Sequence, residues 1–119
     1  MTFDNYISCL FEIIELKNLK FIDFYDNCIS SIPSEIVELV NLRVINLRYN
    51  YITIIPSEIG KLIKLRKLDL GCNSITSIPK DICKLINLRE LHLDGNNITS
   101  FPKEILELET LERLELDNL

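Results

Sequence analysis

Apolar and polar positions follow the same order along this chain in periods of 23 residues. A short stretch of alternating Leu and Ile comes first, an Asn follows, and Ile-Pro then precedes two apolar residues spaced three apart. Alternation predicts a short β-strand with one buried face, and a spacing of three predicts a short helical segment. Each period therefore predicts one strand and one helical segment.

Two residue types fix the register of this repeat. Prolines recur at 33, 56, 79 and 102, and asparagines at 27, 50, 73 and 96. Such agreement over four copies indicates an internal repeat, which we read as a single domain over residues 1–119. Residues 1–15 echo parts of a repeat and are predicted to form an N-terminal cap. The remaining units are 16–38, 39–61, 62–84, 85–107 and a partial repeat, 108–119.

One strand of this kind cannot bury its apolar face alone, so the copies are expected to stack. In the second repeat Ile45 and Leu47 should point inward, and Val44, Asn46 and Arg48 outward. Stacked copies pair as parallel strands about 4.8 Å apart. The predicted fold is an α/β solenoid with a concave parallel sheet of about five strands and short helical segments on the convex side.

The repeated asparagine and proline suit the bends of such a solenoid. An Asn side chain both donates and accepts hydrogen bonds, so it can satisfy backbone groups in its own turn and the next one. Proline lacks a backbone donor and is suited to the first turn of a helix. We predict a structural ladder formed by Asn27, Asn50, Asn73 and Asn96.

The pattern LxxLxLxxNxIxxIPxEIxxL resembles that of the leucine-rich-repeat family over nearly the whole chain. The 23-residue length with Ile-Pro-x-Glu-Ile is similar to the intracellular subclass found in Ras-pathway scaffolds and cell-polarity adaptors. The resemblance implies a right-handed horseshoe that binds proteins on its concave face. It implies no catalytic residue, cofactor or metal.

Charge and cysteine usage limit the partners and the compartment. The formal net charge of −5 disfavours nucleic acid and anionic membrane surfaces, which bind through a surplus of Lys and Arg. No apolar run approaches the ~20 residues of a membrane helix, and no signal peptide is visible. The cysteines lack the clustered spacing of disulfide-capped solenoids, so we expect reduced thiols and a cytoplasmic protein. They are Cys9, Cys28, Cys72 and Cys83.

Outward-facing strand positions differ between repeats, so any binding specificity should reside there. The first two turns present Phe21, Tyr25, Val44, Arg48 and Tyr49, and aromatic residues with Arg are common interface anchors. Alternatively, these are ordinary exposed apolar residues. The full predicted partner-binding set is Phe21, Asp23, Tyr25, Val44, Asn46, Arg48, Tyr49, Asp69 and His92.

A row of cations lies one position before the variable strand residues and ends on Glu112 in the last repeat. Such a row can steer an acidic partner toward the protein. It can equally pair with neighbouring carboxylates, namely those of Asp23, Asp69 and Glu90, which is the alternative we favour from sequence. The row consists of Lys20, Arg43, Arg66 and Arg89.

His92 is the one histidine, and its predicted neighbours across the sheet are Asp69 and Glu115. A histidine with carboxylates can form a metal or acid–base cluster. An open strand face does not exclude water, however, and no second His or thiol is in reach. The sequence therefore favours a solvated histidine, no metal, no cofactor and no enzyme activity.

The last strand should leave apolar residues without a covering turn, among them Leu114 and Leu116. Three interpretations remain open: a naturally short protein, a truncated chain, and a homodimer that buries the C-terminal edge. The predicted function is accordingly a protein-binding adaptor or decoy. The alternative is a structural or self-associating repeat protein.

Overall fold

In the computed structural model, residues 17–117 are described, and they form five parallel strands in one open sheet. Strand order equals chain order, as in a solenoid that adds one strand per turn. This confirms the predicted leucine-rich-repeat architecture. The proposed cap at residues 1–15 lies outside the described residues. The strands are β1 (Phe21–Asp23), β2 (Val44–Asn46), β3 (Lys67–Asp69), β4 (Glu90–His92) and β5 (Arg113–Glu115).

The convex segments are 3₁₀ helices of five residues each, stabilised by i→i+3 hydrogen bonds. In the second, Ile59 N donates to Pro56 O at 3.1 Å. Pro56 is extended, with φ −67° and ψ 144°, so the proline lies one residue before the helix rather than in its first turn. Its carbonyl accepts the first helical bond. The helices are Ser34–Glu38, Ser57–Lys61, Lys80–Lys84 and Lys103–Glu107.

Every strand pairing joins residues 23 apart, so equivalent side chains stack in rows that cross the sheet. Ile45, for example, lies opposite Leu68, which lies opposite Leu91. Each of these side chains is fully buried. Val44, Asn46 and Arg48 remain partly exposed on the other face, as the alternation predicts. The core is thus a set of Leu and Ile rows between the sheet and the 3₁₀ helices.

The turn after each of the strands β1 to β4 requires a left-handed backbone at one position. Asp26, Tyr49 and Cys72 have φ of 57°, 59° and 53°, and the equivalent Gly95 has φ 69°. Only glycine adopts this conformation without a steric cost. The fourth turn therefore uses the residue best suited to this position.

The C-terminal turn is covered on one side only. Leu111, Leu114 and Leu116 are half-buried, and Leu106 on the last helix is 69% exposed. Within residues 17–117, the helices are all too short to span a membrane.

Candidate protein-binding face

The repeated asparagines join each turn to the one before it. The Nδ2 group of Asn73 donates to Leu70 O and to Leu47 O, both at 3.0 Å, and its Oδ1 accepts from Ile52 N at 3.0 Å. Asn50 and Asn96 repeat this geometry. The bonds therefore reach the preceding turn, whereas the sequence analysis expected the next one. The side chains satisfy backbone groups that have left the sheet.

Three residues predicted to bind a partner also form hydrogen bonds at the ends of their strands. The side-chain oxygens of Asp23, Asn46 and Asp69 accept from the backbone N–H two residues later, at 3.0–3.1 Å. This is the local Asx bond that polar side chains make at turns. Asp69 is also buried, which removes most of its carboxylate from contact with any partner.

Aromatic side chains occupy the concave face of the first two turns. The rings of Tyr25 and Tyr49 meet edge to face, with centroids 5.5 Å apart and planes at 83°. Phe21 lies beside Val44 on the neighbouring strand and is 63% exposed. We call Phe21, Tyr25, Val44 and Tyr49 the aromatic patch. Both tyrosines remain about half exposed despite this contact, so the patch is open to a partner.

Tyr49 is held in this arrangement at a conformational cost. A bulky residue rarely adopts φ 59°, but the turn requires this conformation here as it does at Asp26 and Cys72. The neighbouring Cys72 thiol is the main cause of the raised pKa of the Tyr49 phenol. The guanidinium carbon of Arg48 lies 5.7 Å from the ring centroid, within cation–π range.

The Arg48 side chain is held on the concave face by two acidic residues. Its guanidinium makes two bonds to Asp94, of 3.1 and 2.5 Å, and one of 3.2 Å to Asp69. The bond from Arg48 holds the pKa of Asp94 below its usual value, and this pairing raises the pKa of Arg48. We infer that Arg48 positions Tyr49 rather than serving as a free anchor.

Gly71 makes this long-range pairing possible. It is buried between Arg48 and Asp94, and a Cβ built on it would collide with the Arg48 Nη1 and Cζ atoms. The sequence analysis missed Gly71 and Asp94 as members of the site. The sequence does contain a sign of this pairing. At equivalent positions of successive repeats stand Arg48, Gly71 and Asp94, so that opposite charges lie two repeats apart with a small residue between them.

His92 lies in an open cleft of about 330 Å³ beside Asp94 and Glu115. It is opposite Asp69 and Glu115 across the sheet, but its Nε2 atom lies 3.3 Å from Glu90 Oε1. Its side chain is only 12% exposed, so it is less solvated than the sequence suggested. Among residues 17–117, no three His, Cys, Asp or Glu side chains are arranged to hold a metal ion.

The favoured interpretation of the basic row is wrong. The carboxylate of Asp69 contacts Arg48, that of Glu90 contacts His92, and that of Asp23 accepts from Tyr25 N. Within residues 17–117 none of these acids pairs with the row, because each bonds to another group. The row therefore remains available as a basic surface.

Comparison with models of known protein families shows which family the chain resembles. A family model described as "Leucine rich repeat" matches residues 63–118, and one described as "Leucine Rich repeats (2 copies)" matches residues 40–84. The chain belongs to the leucine-rich-repeat family. Domains of this family generally mediate protein–protein interactions and are typically not enzymes. No curated protein matches the chain, and membership of the intracellular subclass stays a prediction.

Solved structures share the leucine-rich-repeat fold of this chain. A leucine-rich-repeat protein of Leptospira interrogans is 47% identical over 90% of this chain, with a TM-score of 0.85. The leucine-rich-repeat ectodomain of an Arabidopsis thaliana receptor kinase is 27% identical over 88%, with a TM-score of 0.80. An internalin of Listeria monocytogenes is 20% identical over 90%, with a TM-score of 0.68, and shows the fold alone. The chain spans 27%, 59% and 37% of these proteins, respectively.

Proposed function

We propose that this leucine-rich-repeat domain is a protein-binding adaptor or decoy, not an enzyme, that holds its partner on the aromatic patch of the concave face. The observation that carries the proposal is the edge-to-face pair of Tyr25 and Tyr49, which is half exposed beside Phe21. Large rigid rings supply contact area at a small entropic cost and are enriched among the residues that dominate binding energy. A protein surface with few charges is the partner that this patch fits.

The residues around the patch support its role by holding it rigid. Arg48 is anchored through Asp94 and Asp69 and lies against the Tyr49 ring. A preorganised surface loses less conformational entropy on binding than a mobile one. Of the residues predicted to bind a partner, we therefore propose that those of the aromatic patch contact it. Arg48 holds the Tyr49 ring in position.

The test is quantitative capture of partners by wild-type protein and by the Tyr25→Asp/Tyr49→Asp variant. Tyr49→Asp should not disturb the fold, because Asp26 already adopts the same left-handed conformation in the first turn. Tyr51→Asp/Ile54→Asp is the matched control, since both residues are exposed and lie outside the patch.

We expect a partner that the wild type and the control variant capture equally and that the patch variant loses. Retention by the patch variant would contradict the proposal, as would an equal loss in the control. Circular dichroism of each variant checks that it is folded.

Self-association is the second candidate, because Leu106 is exposed and three leucines of the last turn are half-buried. The same end carries Glu104, Glu107, Glu109 and Glu112. Like charges brought together by a two-fold contact weaken association. A sedimentation mass of 13.8 kDa at all concentrations would rule out the homodimer.

A cytoplasmic location is part of the proposal and is supported by the free thiols of Cys28, Cys72 and Cys83 within residues 17–117. Alkylation of the protein in intact cells, followed by mass spectrometry, should find these cysteines reduced. Disulfide-linked forms in the cell would contradict this location.

A further inference from the structure

The basic row forms a straight, rigid line at the start of the strands. Each member directly precedes its strand, and the backbone is fixed from one repeat to the next. Arg66 N donates to Arg43 O at 2.7 Å, and Arg89 N donates to Arg66 O at 2.7 Å. The backbone positions of the row are therefore stacked at the strand spacing of about 4.8 Å. Within residues 17–117, ion pairs involve other charged groups and leave this row out.

An exposed aliphatic stripe runs parallel to the basic row, three residues earlier in each repeat. We define it as Val40, Ile63 and Ile86, which are 52%, 53% and 63% exposed. Three successive repeats with the same exposed apolar position form a continuous line, unlike the isolated apolar residues of an ordinary surface.

The segment between the two lines is rigid and joins them into one surface. Asn87 Nδ2 donates to Ile63 O at 2.6 Å, and Thr110 Oγ1 donates to Ile86 O at 2.9 Å. Thr110 lines both the cleft beside Ile86 and an open cleft of about 300 Å³ along the basic row. The second cleft is lined by Arg43, Lys64, Arg66, Asn87, Arg89 and Thr110.

Both lines end on glutamate in the last repeat. Glu109 follows the aliphatic stripe and Glu112 follows the basic row. A two-fold contact centred on Arg66 would place the cations of one copy opposite the cations of the other, which weakens association. We therefore take the occupant to be a partner protein rather than a second copy of this chain.

The dimensions of the surface fit a helix. From Lys20 to Arg89 there are three strand steps, or about 14 Å, which about ten helical residues span. A helical pitch of 5.4 Å brings one acidic residue per turn close to one cation per repeat. Three residues separate the two lines by at most about 10 Å, which is the width of a helix with its side chains.

We propose that this surface docks an acidic amphipathic helix of a partner protein, with carboxylates over the basic row and apolar side chains over the aliphatic stripe. This site adjoins Phe21 and Val44 but lies at the opposite end of the strands from Tyr25 and Tyr49, and the proposal goes beyond the function proposed above. A nucleic acid is a poorer occupant, because its phosphate backbone has no apolar groups to contact the aliphatic stripe. The net charge of −5 of the whole chain would also repel it.

The probe is a fluorescein-labelled synthetic helix of about 14 residues with Glu once per turn and Leu on the adjoining face. Its binding is measured by fluorescence anisotropy. Arg43→Glu/Arg66→Glu/Arg89→Glu should weaken binding at least about tenfold. The control Lys61→Glu/Lys80→Glu/Lys103→Glu changes the net charge equally on the convex side and should have less than about a twofold effect.

The uncharged variant Ile63→Ser/Ile86→Ser should weaken binding about fivefold, which separates docking from simple charge attraction. Four results would each overturn the proposal: no saturable binding, equal losses in both charge-reversal variants, equal binding of a peptide with the same composition in scrambled order, or tighter binding of a single-stranded RNA oligonucleotide. Tyr25→Asp/Tyr49→Asp should bind this probe like wild type, so this experiment and the test of the aromatic patch fail independently.

Discussion

Arg48 and Asp94 are 46 residues apart in the chain, yet the guanidinium of one makes two hydrogen bonds to the carboxylate of the other. The side chain crosses the third repeat to reach the fourth, and it does so over Gly71. It therefore ties three successive turns together on the concave face. The same side chain lies beside the Tyr49 ring, so this pairing links the stability of the middle repeats to the geometry of the aromatic patch.

Gly71→Ala should destabilise the domain by about 1–3 kcal/mol, because the added methyl group would expel Arg48 and leave Asp69 and Asp94 without its hydrogen bonds. The free energy of unfolding from urea titration measures this effect. In an Arg48→Met background, the same substitution should be neutral or slightly stabilising, since alanine lowers the entropy of the unfolded chain. Equal destabilisation in both backgrounds would show that Arg48 is not the group displaced.

Asp94→Asn should reduce the free energy of unfolding at pH 7 by about 1 kcal/mol, because the charged pair with Arg48 is partly exposed. The pKa of Asp94 is depressed in the folded state, so its contribution is fully present above about pH 4. It is lost as the pH falls through the folded-state pKa. The difference between wild type and Asp94→Asn should therefore shrink between pH 5 and pH 2, as measured by urea titration at each pH. In an Arg48→Met background, which lacks the guanidinium partner of Asp94, the Asp94→Asn substitution should show a weaker trend.

Asn73→Ala should be the most damaging of the ladder substitutions, with a loss of at least about 3 kcal/mol. It leaves Leu47 O, Leu70 O and Ile52 N without this partner in a buried turn, and each unsatisfied group costs about 1–3 kcal/mol. Thermal and urea unfolding measure the loss. Ser74→Ala is the control, since this neighbour is exposed and pairs with Ile52 through its backbone. A small loss of stability in Asn73→Ala would mean that water molecules form the hydrogen bonds that the Asn73 side chain makes in the wild type.

Substitutions at the left-handed position before the repeated asparagines should have opposite effects on stability in two different turns. Cys72→Gly should stabilise the domain by up to about 1 kcal/mol, because φ 53° is strained for cysteine. Gly95→Ala should destabilise it by at least about 1 kcal/mol, because φ is 69° and the added Cβ would lie 2.8 Å from Cys72 Sγ. In the Cys72→Gly background this sulfur contact is absent, so Gly95→Ala should be less harmful. Melting temperatures of the four proteins test whether strain and contact combine in this way.

Much of the concave face followed from the repeat register. A period of 23 places Phe21 beside Val44 and Asp69 beside His92, and the strand pairing has both. The sequence analysis identified Phe21, Tyr25 and Tyr49 as outward-facing, and they are exposed. It did not anticipate that Asp23, Asn46 and Asp69 bond to their own backbone, because an Asx bond depends on local turn geometry that alternation does not encode.

The 23-residue repeat was enough to predict the solenoid, the strand register and the rows of buried Leu and Ile, because a one-dimensional repeat specifies which residues become neighbours. The pairing of charges, in contrast, became evident only from the folded arrangement of the side chains. Arg48 has acidic residues at several positions within its reach, and its choice of Asp94 depends on the space above Gly71. The basic row is left unpaired within the described residues because Asp23, Asp69 and Glu90 bond to other groups. Side-chain direction and local packing, which the sequence pattern does not specify, select one pairing among several that the register allows.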